Sequence, residues 1–219
     1  MARTFRGDLA ELGEQLTAMC RQAAGSIRLA SQALLTADLE LAERVLATAD
    51  SLHWQRSNCE EHARALLARP ASAGDDQSVV VAAFYCAGKI ESMGTSAARI
   101  ARTARFGHPT RMVPADLEDV FTELGTAAAG LADRVAELIS SADMTAVPAL
   151  KETGRTIGAL YVRVYAVVTD KGWPYPGRSA TSLALLARFY KHFADQAISV
   201  AGILTFAETG AVPGVAPPD

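Results

Sequence analysis

AGKIESMGTSAARIAR, residues 87–102, and ARFYKHFADQAISVAG, residues 187–202, read as one helix written twice. Laid over each other, they place Gly94 under Ala194, Ala97 under Ala197 and Ala101 under Ala201. Ile100 meets Val200, and Met93 meets Phe193. Each copy carries one carboxylate in the corresponding row, Glu91 in the first and Asp195 in the second. Small residues repeated at threes and fours let a neighbouring helix approach closely, so the repeat reads first as a packing device.

The rest of the chain extends the same pattern. Phe5, Leu9, Leu12, Leu16, Met19, Ala23, Ile27, Ala30 and Leu34 form one face of a long helix. Thr36-Ala37-Asp38 breaks it and supplies an N-cap. A second stripe follows through Ala42, Val45, Ala49, Leu52, Cys59, Ala63 and Leu66, interrupted by Arg56. Pro70, Gly74 and Asp75-Asp76 mark a loop, and the helix of Ala83, Ala87, Ile90, Gly94, Ala97, Ala101 and Ala104 stops at Gly107-His108-Pro109. The second half repeats the plan. Leu117 to Leu138 is periodic, Ser141-Ala142-Asp143 matches the earlier turn, and Pro148 opens a fifth helix where its missing N–H costs least. The loop GWPYPG, 172–177, precedes a sixth helix carrying Leu183, Leu186, Tyr190, Phe193, Ala197, Val200 and Leu204. These elements predict an all-α fold of two tandem antiparallel three-helix bundles, residues 1–109 and 110–210. The tail 211–219, rich in Pro and Gly, is expected to be disordered.

Composition agrees. Half of the 219 residues are hydrophobic but only 6% are aromatic, a balance that favours helix over strand. A net charge of −3 gives no field to gather nucleic acid. Cys20, Cys59 and Cys86 are far apart and fall on or near apolar stripes, as reduced core thiols do. MARTFRGDLAEL lacks the apolar run of a secretion signal, and no apolar run is long enough to span a bilayer, so a cytoplasmic protein is expected. No phosphate-binding Gly loop, nucleophile elbow or zinc-protease helix is present, so an enzyme is not expected.

The doubled three-helix plan, together with LLTADLELAERVLATAD (34–50), RIARTARFGHP (99–109) and LLARFYKHFADQAISVAG (185–202), resembles the PhoU family of phosphate-signalling regulators, in particular its actinobacterial branch. The similarity runs from Arg3 to about Gly210. It implies a cytoplasmic helical adaptor and negative regulator that links the ATPase subunit of a phosphate-specific ABC transporter to a sensor histidine kinase. Such a protein meets the inner membrane only through its partners. Some members hold iron or zinc clusters on acid-x-x-x-acid pairs in helices three and six. Here Glu91 matches the first acid of one pair, but Thr95 stands at the second. Asp195 matches the second acid of the other, but Lys191 stands at the first. Residues i and i+4 share a helical face, and two acids there can share a cation; one acid with a Thr or a Lys cannot do so as well. No cofactor is therefore expected at Glu91 and Asp195.

Two alternatives remain open. Glu91, Asp195 and His192 together with acids of neighbouring helices would make a metal-binding carboxylate bundle. A diverged paralogue would keep the fold and serve another membrane signalling partner. Cys59-x-x-His62 is a weak zinc spacing without a second pair. Arg99, Arg102 and Arg105 suit a helix C-terminus, and Arg99 and Arg102 also suit an acidic partner. Trp173 either caps the second bundle or docks a partner. The alanine-rich faces would also suit a homodimer.

Overall fold

The computed structural model describes residues 5–69 and 74–209. Six long helices account for nearly all of these: α1 Phe5–Thr36, α2 Leu39–Leu67, α3 Gly74–Gly107, α4 Ala115–Ser141, α5 Val147–Val168 and α6 Gly177–Thr209. One turn of 3₁₀ helix, Met144–Ala146, leads into α5. No strand occurs among the described residues. The fold is the all-α pair of three-helix repeats that the periodicity predicts.

The turns between α1 and α2 and after α4 are built alike. Ala37 and Ala142 both take the left-handed conformation, with φ of 54° and 53°. The next residue is an acid in both, and each acid caps the helical turn beyond it. Asp38 accepts from the Leu41 N–H at 3.0 Å, and Asp143 accepts from the Thr145 N–H at 3.0 Å. Pro148 lies in the first turn of α5, as expected. α3 begins earlier than its sequence suggests. Residues 74–76, which read as loop, already belong to the helix, while the Pro70 end of that loop and the tail 211–219 lie outside the described residues.

α2 packs on α1 and α3, and α5 packs on α6 and α4. The repeats then meet along α1 with α4 and α3 with α6, whereas neither α1 with α6 nor α3 with α4 is a principal contact. Each inner helix thus faces its own counterpart, the arrangement an approximate two-fold axis produces. Buried residues of all six helices form one continuous core. Each apolar stripe faces it: Leu12, Leu16, Met19 and Ile27 of α1 are buried, as are Ala97, Ile100, Ala101, Ala197, Val200 and Ala201. Burying a Leu- or Ile-sized side chain contributes about 1.5–3 kcal/mol, so these stripes dominate the stability.

The small residues mark where helices close in. A Cβ on Gly94 would lie 2.4 Å from Cδ1 of Leu52, so α2 seats Leu52 against the bare backbone of α3. In the second repeat the roles are exchanged: Gly154 of α5 faces Ile198 of α6, whose Cγ1 would lie 3.0 Å from an added Cβ.

Candidate functional site

Glu91 lies on the side of α3 that meets α2, partly buried. Two basic residues of α2 hold it. Nδ1 of His53 is 2.8 Å from one carboxylate oxygen, and Nη1 of Arg56 donates to the other at 2.8 Å. The same guanidinium donates through Nε to Glu60 Oε1 at 2.7 Å, and Arg64 stands 3.6 Å from Glu60 Oε2. Burial pushes the Glu91 carboxyl up, but the hydrogen bonds from His53 and Arg56 and their charges outweigh it, so its pKa lies below the ordinary value. The hydrogen bonds to Glu60 and Glu91 raise that of Arg56 in turn. Arg56 is therefore the link between the acids of α2 and α3, which is why it breaks an apolar stripe. Thr95, one turn beyond Glu91, is exposed.

The second remnant is simpler. Lys191 Nζ donates to Asp195 Oδ1 at 2.5 Å along the same helix, with both side chains at least a third exposed. An exposed i,i+4 pair of this kind contributes only about 0.3–0.5 kcal/mol. Across from it, α5 presents Lys151 and Arg155, not acids, into a groove of about 1320 Å³ that Val81, Tyr85, Ile198 and Phe206 line with apolar surface.

Glu91 is not among the residues of that groove. Each acid is engaged by its own repeat, and Glu91, Asp195 and His192 do not gather their ligand atoms at one point among the described residues. Nor does Cys59 pair with His62 as a zinc ligand set. Cys59 is fully buried, and burial pushes its thiol up to about 11. His62 instead lies with Asp8 and Glu11, their ligand atoms within 4.8 Å of one another, and Asp8 also accepts from Arg69. That cluster joins α1 to α2 across 54 positions of sequence and has no local spacing to announce it.

The arginine row at the end of α3 splits into separate roles. The Arg99 guanidinium lies 5.6 Å from the centre of the Phe189 ring on α6. Arg105 reaches Glu43 of α2 at 3.4 Å, and Arg111 reaches Glu118 at 3.6 Å. Arg102 is exposed and borders a small pocket with Met112, Ser182 and Phe106, the last of these 86% exposed. Trp173 folds back on the core, with the Tyr175 ring 5.0 Å away edge-on.

The chain matches the PhoU domain model over residues 16–104. It is 33% identical to the phosphate-specific transport system accessory protein PhoU homolog 1 of Mycobacterium leprae, covering 97% of this chain and 96% of that protein. It is also 33% identical to PhoU homolog 2 of Mycobacterium tuberculosis, over 97% and 100% of the two chains. The fold superposes on crystal structures of PhoU from Pseudomonas aeruginosa (TM-score 0.84, 18% identity, 95% of this chain and 100% of that one) and Streptococcus pneumoniae (0.85, 17%, 97% and 100%). With the doubled helical triplet, the paired Asp-capped turns and a relationship that spans the chain, this protein belongs to the PhoU family.

Proposed function

We propose that this protein is a cytoplasmic adaptor that restrains phosphate uptake and phosphate-starvation signalling. It binds the ATPase subunit of a phosphate-specific ABC transporter and a sensor histidine kinase, and it works by binding, with no chemistry of its own. The observation that carries this reading is the correspondence, over 97% of the chain, to accessory proteins of phosphate-specific transport. No described helix is long and apolar enough to cross a membrane, and the protein reaches the inner membrane through these partners. An adaptor of this kind acts through different affinities for two states of a partner, a coupling typically of about 1–3 kcal/mol.

The surface best suited to an acidic face of a protein partner is the end of α3. There Arg102 and the projecting ring of Phe106 combine a cation with an aromatic anchor, the pairing found at binding hot spots. Arg99, braced on Phe189, extends the positive charge along α6. Two measurements test the proposal. Deleting the gene should derepress phosphate-responsive transcription in phosphate-rich medium; unchanged transcription would count against the pathway. Reversing the charge at Arg99 and Arg102 should weaken capture of the transporter ATPase and the kinase. Undiminished capture of both would remove the α3 end from the interface.

A further inference from the structure

We infer that the guanidinium of Arg56 is a built-in cation occupying the place between Glu60 and Glu91 where a metal ion would otherwise bridge α2 to α3, so that this half of the protein is joined without metal and closed to divalent ions. The inference stands whichever partners the protein binds.

The geometry supports it atom by atom. Glu60 is buried to 9% exposure and Glu91 is partly buried, and both carboxylates meet the one guanidinium of Arg56. Such a pair needs a positive charge between them. Arg56 supplies it with two edges of one planar group, Nε to Glu60 and Nη1 to Glu91. The outer oxygens are covered as well, by His53 at 2.8 Å on Glu91 and by Arg64 at 3.6 Å on Glu60. All four carboxylate oxygens thus face basic nitrogen, and a hard cation, which needs several oxygen ligands, meets positive charge on both acids. Arginine keeps its proton at every pH a cell reaches, so the countercharge is permanent.

The metal clusters implied by the family's acid pairs therefore do not fit here. The reason lies as much in what α2 contributes as in the loss of an acid at Thr95. The second repeat makes the same exchange in a weaker form, with the Lys191 ammonium on Asp195. His53, Glu60 and Glu91 do not bring their ligand atoms within 4.8 Å of one another while the guanidinium stands between the two acids. If Arg56 is what holds them apart, its removal lets them close on zinc, which accepts such a mixed nitrogen and oxygen set.

The test uses the full-length protein and zinc alone. After incubation with zinc and dialysis, elemental analysis of the wild type should find well under one ion per chain held through Glu91, and Arg56→Lys, which keeps the positive charge, should behave the same. Arg56→Gln should hold about one zinc ion per chain, and adding Glu91→Gln to it should release that ion. The double variant also separates this site from ions held at Asp8, Glu11 and His62. Should Arg56→Gln prove unfolded without metal, zinc should restore its cooperative melting. A wild type that retains zinc which Glu91→Gln removes would overturn the inference. So would a folded Arg56→Gln that gains no zinc over the wild type, gained zinc that survives the double substitution, or an unfolded Arg56→Gln that zinc does not rescue.

Discussion

The hydroxyl of Tyr190, buried in α6, donates to Ser31 Oγ of α1 at 2.9 Å, and Ser31 donates in turn to the Ile27 carbonyl at 2.7 Å. This short relay joins the first and last helices through the centre of the core, beside the Phe121 ring of α4, whose centre lies 6.1 Å from that of Tyr190. Tyr190→Phe keeps the ring and loses the donor, so we expect a loss of about 0.5–1.5 kcal/mol in urea unfolding. A variant as stable as the wild type would show that the bond contributes nothing.

Gly125 makes room for that relay. A Cβ there would lie 2.6 Å from Ser31 Oγ and 2.7 Å from Ser31 Cβ, and the Cβ is fixed to the α1 backbone and cannot swing aside. Gly125→Ala should therefore destabilise by about 1–3 kcal/mol through overpacking, although alanine is the better helix former. A rise in melting temperature would contradict this account of the α1–α4 contact.

Ala37 and Ala142 point the other way. Both hold the left-handed conformation that costs an L-residue about 1–2 kcal/mol, and glycine adopts it freely. Each Ala→Gly change should stabilise the protein by up to about 1 kcal/mol, the gain being reduced by the greater freedom of glycine in the unfolded chain. Because the two turns lie in different repeats, their effects should add. Thermal melts of the single and double variants check both statements.

Glu91 predicts a pH dependence with a definite sign. Its folded pKa lies below the ordinary 4.5, so its stabilisation is fully present above pH 4.5 and is lost as pH falls through the folded value. Wild type and Glu91→Gln should differ most near neutrality and converge as the pH falls below the ordinary carboxyl range. Urea melts across that range measure the gap. A constant gap would mean that the carboxylate charge is not what joins α2 to α3.

The three thiols should be silent in the folded protein. Burial pushes Cys20 and Cys86 up to about 12 and Cys59 to about 11, and Cys20 also hydrogen-bonds the Ala132 carbonyl at 3.3 Å. With thiolate fractions of roughly 10⁻³ or less at pH 8, labelling by a disulfide reagent should follow the unfolding rate. Rapid labelling of native protein would show that the core opens.

How much of this was legible in the sequence depended on distance along the chain. The helices announced themselves because each apolar stripe repeats within one element. The turns at Ala37 and Ala142 were legible because a cap acts two or three residues away. Residues 74–76 misled because glycine and acids that mark a loop also suit a helix's first turn, where the backbone N–H groups lack partners. Arg56 resisted reading for a different reason. Its partner Glu91 is 35 positions distant on another helix, and only folding brings the charges together. The same holds for Tyr190 with Ser31, 159 positions apart, and for Arg99 over Phe189.

Both outer helices bury an apolar stripe, but α2 adds ion pairs to its neighbours that α5 lacks among the described residues. Arg56, Arg69 just past the end of α2 and Arg105 of α3 supplement the buried stripe of α2 with ion pairs to acids, whereas α5 rests on apolar contacts such as Gly154 against Ile198. Electrolyte screens the first kind of attachment and leaves the second nearly untouched. A cell whose ionic strength rises would thus loosen one flank of the protein before the other, giving an almost symmetrical fold an inherently lopsided response.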